Sequence, residues 1–225
     1  MWDWVFLFYP PTGAARSLRN ILGAHSFIPM KEKRKTEEDF TLIRQFQQGH
    51  ERSFEDLVKR YERQVGNIIY LTLGGREEIQ DLTQEVFIRV YKALPKFEFD
   101  SSFFSWVYRI TMNLCIDEIR RRKIKRVLSL EFLSEATLER EKKSKGIATA
   151  SDDVMAQERK SVILSALQRL STEQRQIVIM REYEDLSYNE IAETLNISLQ
   201  AVKSRLFRAR EELRELLKGY FKERV

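Results

Sequence analysis

Residues 186–195 read LSYNEIAETL, residues 196–198 read NIS, and residues 199–210 read LQAVKSRLFRAR. Ser187 is a favourable helix N-cap, and Glu190, three positions later, completes the pattern of a capping box. A short polar turn then leads into a longer helix, and the small Ala192 lies where two helices would cross closely. The stretch therefore predicts a helix-turn-helix.

The second helix of this pair has two different faces. At 100° per residue one stripe must pack inward, and it contains Val202, Leu206, Ala209, Leu213 and Leu216. The opposite face carries polar and basic residues, with no acidic residue between 198 and 210. Such a strip fits a major groove, with its middle at base edges and its flanking cations, Arg210 among them, at phosphates. An ordinary solvated basic face is the alternative. The candidate DNA contacts are Gln200, Lys203, Ser204, Arg205, Phe207 and Arg208.

The composition of the 225 residues favours helices. Only eight Gly and four Pro supply the tight turns that a sandwich or barrel of many strands needs. With 32% charged and 43% hydrophobic residues, the chain is too apolar for a disordered protein and too charged for a membrane span. We therefore predict an all-α protein that folds in water.

The scarcity of reactive side chains excludes several functions. Cys115 is the one cysteine, and His25 and His50 are the only histidines. They cannot supply an intramolecular disulfide, a structural zinc site or the usual sets of nucleophile and base. We therefore expect a protein of the reducing cytoplasm that is not an enzyme and holds neither a metal nor a cofactor.

Patterning along the chain indicates two helical domains. Residues 1–35 are an N-terminal extension, and the change of texture at Met30 suggests that the natural start lies there; its apolar run is too short to span a bilayer, so no membrane insertion is expected. Residues 36–126 and 156–225 show helical periodicity, whereas residues 127–155 are polar and aperiodic and predict a flexible linker.

Aromatic and basic residues are concentrated in the first domain. Phe97, Phe99, Phe103, Phe104 and Trp106 lie in and after a loop that enters a helix through Ser101 or Ser102. Between residues 109 and 126 there are seven basic residues and two acidic ones. The combination suits capture of unstacked bases, although core packing explains the aromatic residues equally well. A polar strip along this helix contains Ser105, Arg109, Asn113 and Arg120.

A further helix is predicted over residues 77–94. Leu82, Val86 and Val90 form its buried stripe, so that Asp81, Gln84, Glu85 and Arg89 point outward. Periodicity alone leaves open whether this polar face meets solvent or a protein partner.

Three of these segments, in this order and spacing, resemble the extracytoplasmic-function group of bacterial RNA polymerase sigma factors. They lie at residues 81–87, 101–113 and 186–210, and the resemblance covers about residues 36–217. It implies two small helical domains, sigma region 2 over residues 36–126 and a helix-turn-helix region 4 over residues 156–225. It also implies a transcription initiation factor that directs core polymerase to promoters.

The resemblance assigns roles to named residues. Asp81, Gln84 and Glu85 would dock on the beta-prime clamp helices, region 4 would also contact the beta flap, and an anti-sigma factor is an expected partner. Recognition and melting of the minus-ten element would involve Phe99, Phe103, Trp106, Arg109, Asn113, Arg120 and Arg121. The minus-thirty-five element would be read by Gln200, Lys203, Ser204, Arg205, Phe207 and Arg208.

Three other classes of protein share parts of the pattern. A helix-turn-helix activator that is not a polymerase subunit would need a ligand or receiver domain with strands, which residues 36–126 do not suggest. A nucleic-acid-modifying enzyme would need a metal or nucleophile set. An RNA-binding adaptor is separable by asking whether binding requires polymerase.

Overall fold

The computed structural model describes residues 32–75, 78–132 and 152–222, and these contain helices and turns without a strand. The all-α prediction is confirmed. The helices are α1 (Glu32–Gln47), α2 (Arg52–Leu73), α3 (Ile79–Ala93), α4 (Phe103–Phe132), α5 (Asp152–Arg169), α6 (Thr172–Val178), α7 (Tyr188–Leu195) and α8 (Leu199–Lys222).

Helices α1 to α4 form the first domain around the long helix α2, which packs against the other three. Leu57, Tyr61 and Val65 recur every four residues on one face of α2 and are buried, as helical periodicity requires. The helix ends at Gly74, whose φ of 78° is the left-handed C-cap conformation that glycine adopts without strain. A 3-10 turn at Leu94–Lys96 closes α3 before the aromatic loop.

Helices α5 to α8 form the second domain. Ser171 and Gln174 make a capping box that starts α6, and a π-helical turn at Ile179–Tyr183 follows it. The predicted inward stripe of α8 is correct through Leu213, but it continues at the fully buried Leu217 and leaves Leu216 only partly buried.

The predicted linker is helical where it is described. Helix α4 continues to Phe132, six residues past the predicted end of the first domain, and α5 begins at Asp152. Residues 133–151 lie outside the described residues. So does the extension over residues 1–31, including the proposed start at Met30.

The two domains share one apolar core. Ile68 and Leu71 of α2 and Tyr108 and Met112 of α4 pack in the same cluster as the second domain's core, which includes Ile163, Leu167, Ile177 and Met180. A second cluster, around Leu57, Val86, Leu94 and Phe103, belongs to the first domain alone. The domains are therefore packed directly on each other.

Cys115 lies on α4 in the core of the first domain and is fully buried. Burial raises the pKa of its thiol to about 12. Among the described helices, none is long and apolar enough to cross a membrane. No group of three or more His, Cys, Asp or Glu side chains in this part of the chain could hold a metal ion.

Candidate nucleic-acid and polymerase interfaces

The predicted helix-turn-helix is present as α7, a three-residue turn and α8. The backbone nitrogen of Ser187 donates to Glu190 Oε2 at 2.7 Å, and Ser187 Oγ accepts from the Glu190 nitrogen at 3.2 Å. Asn196 ends α7 in the left-handed conformation with φ of 51°, which asparagine tolerates well. Ser198 Oγ accepts from the Ala201 nitrogen at 3.1 Å and caps the start of α8.

One face of α8 is open to solvent, and we call it the α8 outer face. It consists of Gln200, Lys203, Ser204, Phe207 and Arg208, all exposed and spaced at three or four residues. Phe207 leaves 55% of its surface in solvent although it lies in the middle of this polar strip. An apolar ring so exposed in the middle of a polar helix face is an unusual feature of this surface.

Two arginines expected at the edges of this face have other partners. Arg210 lies only 2.6 Å from the Glu182 carboxylate, and the two side chains are 15% and 13% exposed. Burial acts to lower the pKa of Arg210, but the Glu182 charge outweighs it and raises that pKa. Arg210 is therefore held by an ion pair at the edge of the face, and its role as a phosphate contact stays a prediction. Arg205 is half-exposed and lies 3.3 Å from Glu173, at the rim of the face.

The helix α4 begins at Phe103, because Ser102 Oγ accepts from the Ser105 nitrogen at 3.1 Å and acts as the N-cap. Phe103 itself is fully buried, and its ring lies 5.3 Å from that of Tyr61. Phe103 therefore belongs to the core rather than to a DNA surface, which corrects its assignment to minus-ten recognition.

Phe99 in the aromatic loop and Trp106 in the first turn of α4 are both partly exposed. The Phe99 ring packs edge-on against Phe40 at 5.2 Å, and the Arg44 guanidinium lies 5.2 Å from its centroid. Its φ of 62° is a left-handed conformation that a bulky residue adopts only when its surroundings hold it there. Trp106 is half-buried, with its ring 5.2 Å from Phe97.

Gln47 anchors the aromatic loop through side-chain hydrogen bonds to backbone carbonyl groups. Its Nε2 donates to the carbonyl oxygens of Leu94 at 3.2 Å and Phe97 at 3.1 Å. These contacts span 47 and 50 residues, and neither local pattern nor periodicity gives a signal for them. The loop that carries Phe99 is therefore anchored by a residue that sequence reasoning missed.

The basic surface of α4 is partly neutralised. Glu118 is buried and accepts from Arg121 at 2.7 Å and from Arg122 at 2.8 Å. Burial acts to raise the pKa of Glu118, yet the two arginines outweigh it and hold that pKa below its usual range. Arg120 and Asn113 are exposed, whereas Arg109 is half-buried and donates to Ser101 Oγ at 3.2 Å.

The outer face of α3 combines charge with exposed apolar surface. Asp81 and Gln84 are exposed, and Glu85 pairs with Arg89 at 2.8 Å. Beside them Ile88 and Tyr91 are 40% and 41% exposed, and sequence reasoning missed both. Ile88 lies four residues after Gln84, and Tyr91 lies three residues after Ile88; this helical spacing is the signal that could have found them.

Comparison with protein families defines the class. A family model described as Sigma-70 region 2 matches residues 57–124, and one described as Sigma-70, region 4 matches residues 160–213. The fold is thus that of an RNA polymerase sigma factor, a transcription initiation factor. The match to region 2 does not favour an activator that acts outside the polymerase.

One relative and two solved structures are compared with the chain to define its group among the sigma factors. The chain is 33% identical over 178 residues to the ECF RNA polymerase sigma factor SigW of Bacillus subtilis, covering 78% of this chain and 95% of SigW. The chain belongs to the ECF sigma factors. Its fold is similar to CnrH in complex with the cytosolic domain of CnrY, with a TM-score of 0.57 and 24% identity over 81% of this chain and 98% of CnrH. It is also similar to the sigma factor RpoE from Bartonella quintana in complex with the anti-sigma factor NepR, with a TM-score of 0.55 and 23% identity over 73% and 96% of the two chains.

Proposed function

We propose that the chain docks on core RNA polymerase with α3 on the beta-prime clamp helices and with its second domain on the beta flap. It reads the minus-thirty-five element with the α8 outer face and melts the minus-ten element with the loop before α4. The observation that carries this proposal is the exposed strip of α8, which presents polar and apolar side chains above a capped helix-turn-helix. The protein contributes binding energy to initiation and no catalytic step of its own.

Reconstitution with core polymerase and a library of randomised promoters tests this proposal. Transcripts should start from a subset of templates that share two elements at a fixed spacing, and no other sigma factor should be needed. Initiation that appears only when a second sigma factor is added would show that the chain acts outside the polymerase.

The α8 outer face divides into a centre and its flanks. Gln200, Ser204 and Phe207 supply two hydrogen-bonding groups and one ring for base edges, while Lys203 and Arg208 are cations for the phosphates. Arg208 also donates to Ser204 Oγ at 3.2 Å, which orients both side chains. We place Arg205 at the rim of the same contact.

Phe207 should read thymine methyl groups. Replacing thymine by deoxyuridine in the selected minus-thirty-five element removes only a methyl group, and burial of one such group contributes about 0.8 kcal/mol, or about fourfold in affinity. The affinity of the wild type should fall by about that factor when the contacted thymine is replaced, whereas the affinity of Phe207→Ala should not change. Fluorescence anisotropy with short duplexes measures both.

Lys203→Ala is the matched control for that experiment. It should remain sensitive to deoxyuridine, while its log–log salt dependence should fall by about one. Equal sensitivity of the wild type and Phe207→Ala to deoxyuridine would remove the ring from base recognition.

The minus-ten contact is proposed for the loop and the exposed side of α4. Phe99 and Trp106 offer half-buried rings for stacking, Asn113 offers an amide, and Arg109, Arg120 and Arg121 supply cations for the phosphates. Arg121 retains 55% exposure beside Glu118. Phe103 has no part in this contact.

Asp81→Ala should weaken binding to core polymerase by about tenfold without lowering thermal stability. Asp81 is exposed and lies off the buried stripe of α3, so its own contribution to folding should stay within about 0.5 kcal/mol. Losses above 1 kcal/mol are typical of the few residues that dominate an interface, and exposed Ile88 and Tyr91 beside it supply the apolar part.

The exposed Glu193 of α7 provides the control, since Glu193→Ala removes the same charge from the other domain. Core binding is measured by competition with a labelled sigma factor, and stability by thermal unfolding. A marked loss of thermal stability in Asp81→Ala would show that the carboxylate is structural.

We further propose that the protein acts in the cytoplasm, where it would be sequestered by an anti-sigma factor. Support comes from the related fold of RpoE, which is found in complex with the anti-sigma factor NepR. Pull-down from the native cell with the full chain as bait, followed by competition against core polymerase, tests this partner.

A further inference from the structure

We infer that Arg44 of α1 is a further DNA contact in promoter opening, and that its guanidinium binds a phosphate of the unpaired strand next to the base held by Phe99. This inference rests on the proposed melting of the minus-ten element by the loop before α4. It extends that contact to α1, which carries none of the residues predicted to bind DNA.

One face of α1 supports the aromatic loop. Phe40, Arg44 and Gln47 follow each other at intervals of four and three residues, so they lie on the same side of the helix. The Phe40 ring packs edge-on against Phe99, and Gln47 donates to two carbonyl groups of the chain that leads into the loop. Arg44 lies between these two contacts in the sequence and packs on the Phe99 ring itself. The side of α1 that supports the loop therefore includes a cation.

The guanidinium of Arg44 stacks on an aromatic ring without being neutralised. It lies 5.2 Å from the Phe99 ring centroid, within the distance of a cation–π contact. Arg44 is exposed, and within the described residues no carboxylate forms an ion pair with it. On α4, by contrast, Arg109 donates to a serine hydroxyl and Arg121 pairs with a buried glutamate. The charge of Arg44 is thus available to an anion.

The aromatic loop carries negative charge that opposes an approach to DNA. Phe99 lies between Glu98 and Asp100, and both of these residues are exposed. Two carboxylates beside the ring repel the phosphates of a strand whose base stacks there. Because Arg44 packs on that same ring, it offsets part of this repulsion and gives the strand an attractive partner.

A base stacked on Phe99 would come within reach of Arg44. Two interacting aromatic rings lie about 4.5–7 Å apart between their centroids, and the guanidinium is at a similar distance, 5.2 Å, from the Phe99 centroid. The planar fork of donors on arginine matches a phosphate group, and its flat face stacks on aromatic rings. Arg44 can therefore hold the ring and the backbone of the captured nucleotide together.

Removing one phosphate charge at a time tests the inference. The holoenzyme of core polymerase and the full chain is bound to a template with a pre-melted bubble across the selected minus-ten element. The non-template strand carries a single uncharged methylphosphonate, placed at each linkage of the element in turn. At one linkage the methylphosphonate should weaken binding of the wild type about fivefold, the upper range for an exposed ion pair.

Arg44→Gln should weaken binding to the unmodified bubble by a similar factor and should be insensitive to the methylphosphonate at that linkage. Its log–log salt dependence should fall by about 0.7, the value for one phosphate contact with a single strand. Arg44→Lys keeps the charge and should keep the response to the methylphosphonate. The matched control is Arg52→Gln, which removes the same charge from the exposed start of α2 and should behave as the wild type.

A role for Arg44 in holding the loop alone would give a different pattern. Arg44→Gln would then bind more weakly but would keep the methylphosphonate response and the salt dependence of the wild type, and this result would overturn the inference. Tighter binding by Arg44→Gln would also overturn it, because it would show that Arg44 shields the ring from the base. Promoter opening by Phe99→Ala at the level of the wild type would instead count against the proposed function of the loop.

Discussion

Arg175→Ala should lower the free energy of unfolding by about 3 kcal/mol and the thermal midpoint by roughly 10 °C, the largest effect on stability expected in this protein. Removing the guanidinium leaves Thr72 O, Leu167 O and Leu170 O buried without that donor. Each buried carbonyl group that loses its partner carries a desolvation penalty of about 1–3 kcal/mol. Thermal and urea unfolding followed by circular dichroism measure the change.

Arg169→Ala is the matched control, because Arg169 is the exposed last residue of the preceding helix, α5. It should change stability by less than about 0.5 kcal/mol. Arg175→Lys should fall between the two, since an ammonium group cannot reproduce the planar fork of five donors. Equal midpoints for Arg175→Ala and Arg169→Ala would mean that these hydrogen bonds contribute nothing measurable.

Phe99→Ala should reduce open-complex formation by about 10- to 100-fold and leave the closed complex nearly intact. Unpairing a base requires a few kcal/mol, and stacking on an aromatic ring returns about 1–3 kcal/mol of it. Permanganate reactivity of melted thymines reports the opening, and a gel shift at low temperature reports the closed complex. Phe99→Tyr keeps the ring and should keep the activity.

A template with a pre-melted bubble separates the two roles of the loop. It should recover much of the transcription that Phe99→Ala loses, because the duplex no longer has to be opened. Gln47→Ala, which frees the carbonyl oxygens of Leu94 and Phe97, should show the same defect in milder form. If the bubble gives no recovery, Phe99 is a structural residue of the loop.

Local chemistry made much of this structure predictable. Ser187 with Glu190 and Ser102 with the Ser105 nitrogen are caps formed within four residues, so the starts of α7 and α4 could be inferred from sequence. The buried stripe of α8 followed from helical spacing as far as Leu213. The residues of the α8 outer face are exposed because they lie on the side of the helix opposite that buried stripe.

Contacts between distant residues were beyond that reasoning. Periodicity places Ser105 on a polar strip, but it cannot show that Thr194 covers it from the other domain. In the sequence Arg210 is one more cation of α8. In the structure the π-helical turn brings Glu182, 28 residues away, beside it. Phe99 and Phe103 belong to the same aromatic stretch of the sequence. Only the packed structure shows that the Phe103 ring lies in the core and the Phe99 ring at the surface.

The burial of Cys115 makes the native chain its own reporter of conformational opening. Cys115 is closed to solvent and its burial raises the pKa of the thiol, so labelling reagents that attack thiolates react negligibly with the folded protein. Each labelling event therefore records an excursion in which the first domain exposes its interior. The rate of colour development with a disulfide reagent, taken relative to that of the unfolded chain, yields the free energy of that opening without an added probe.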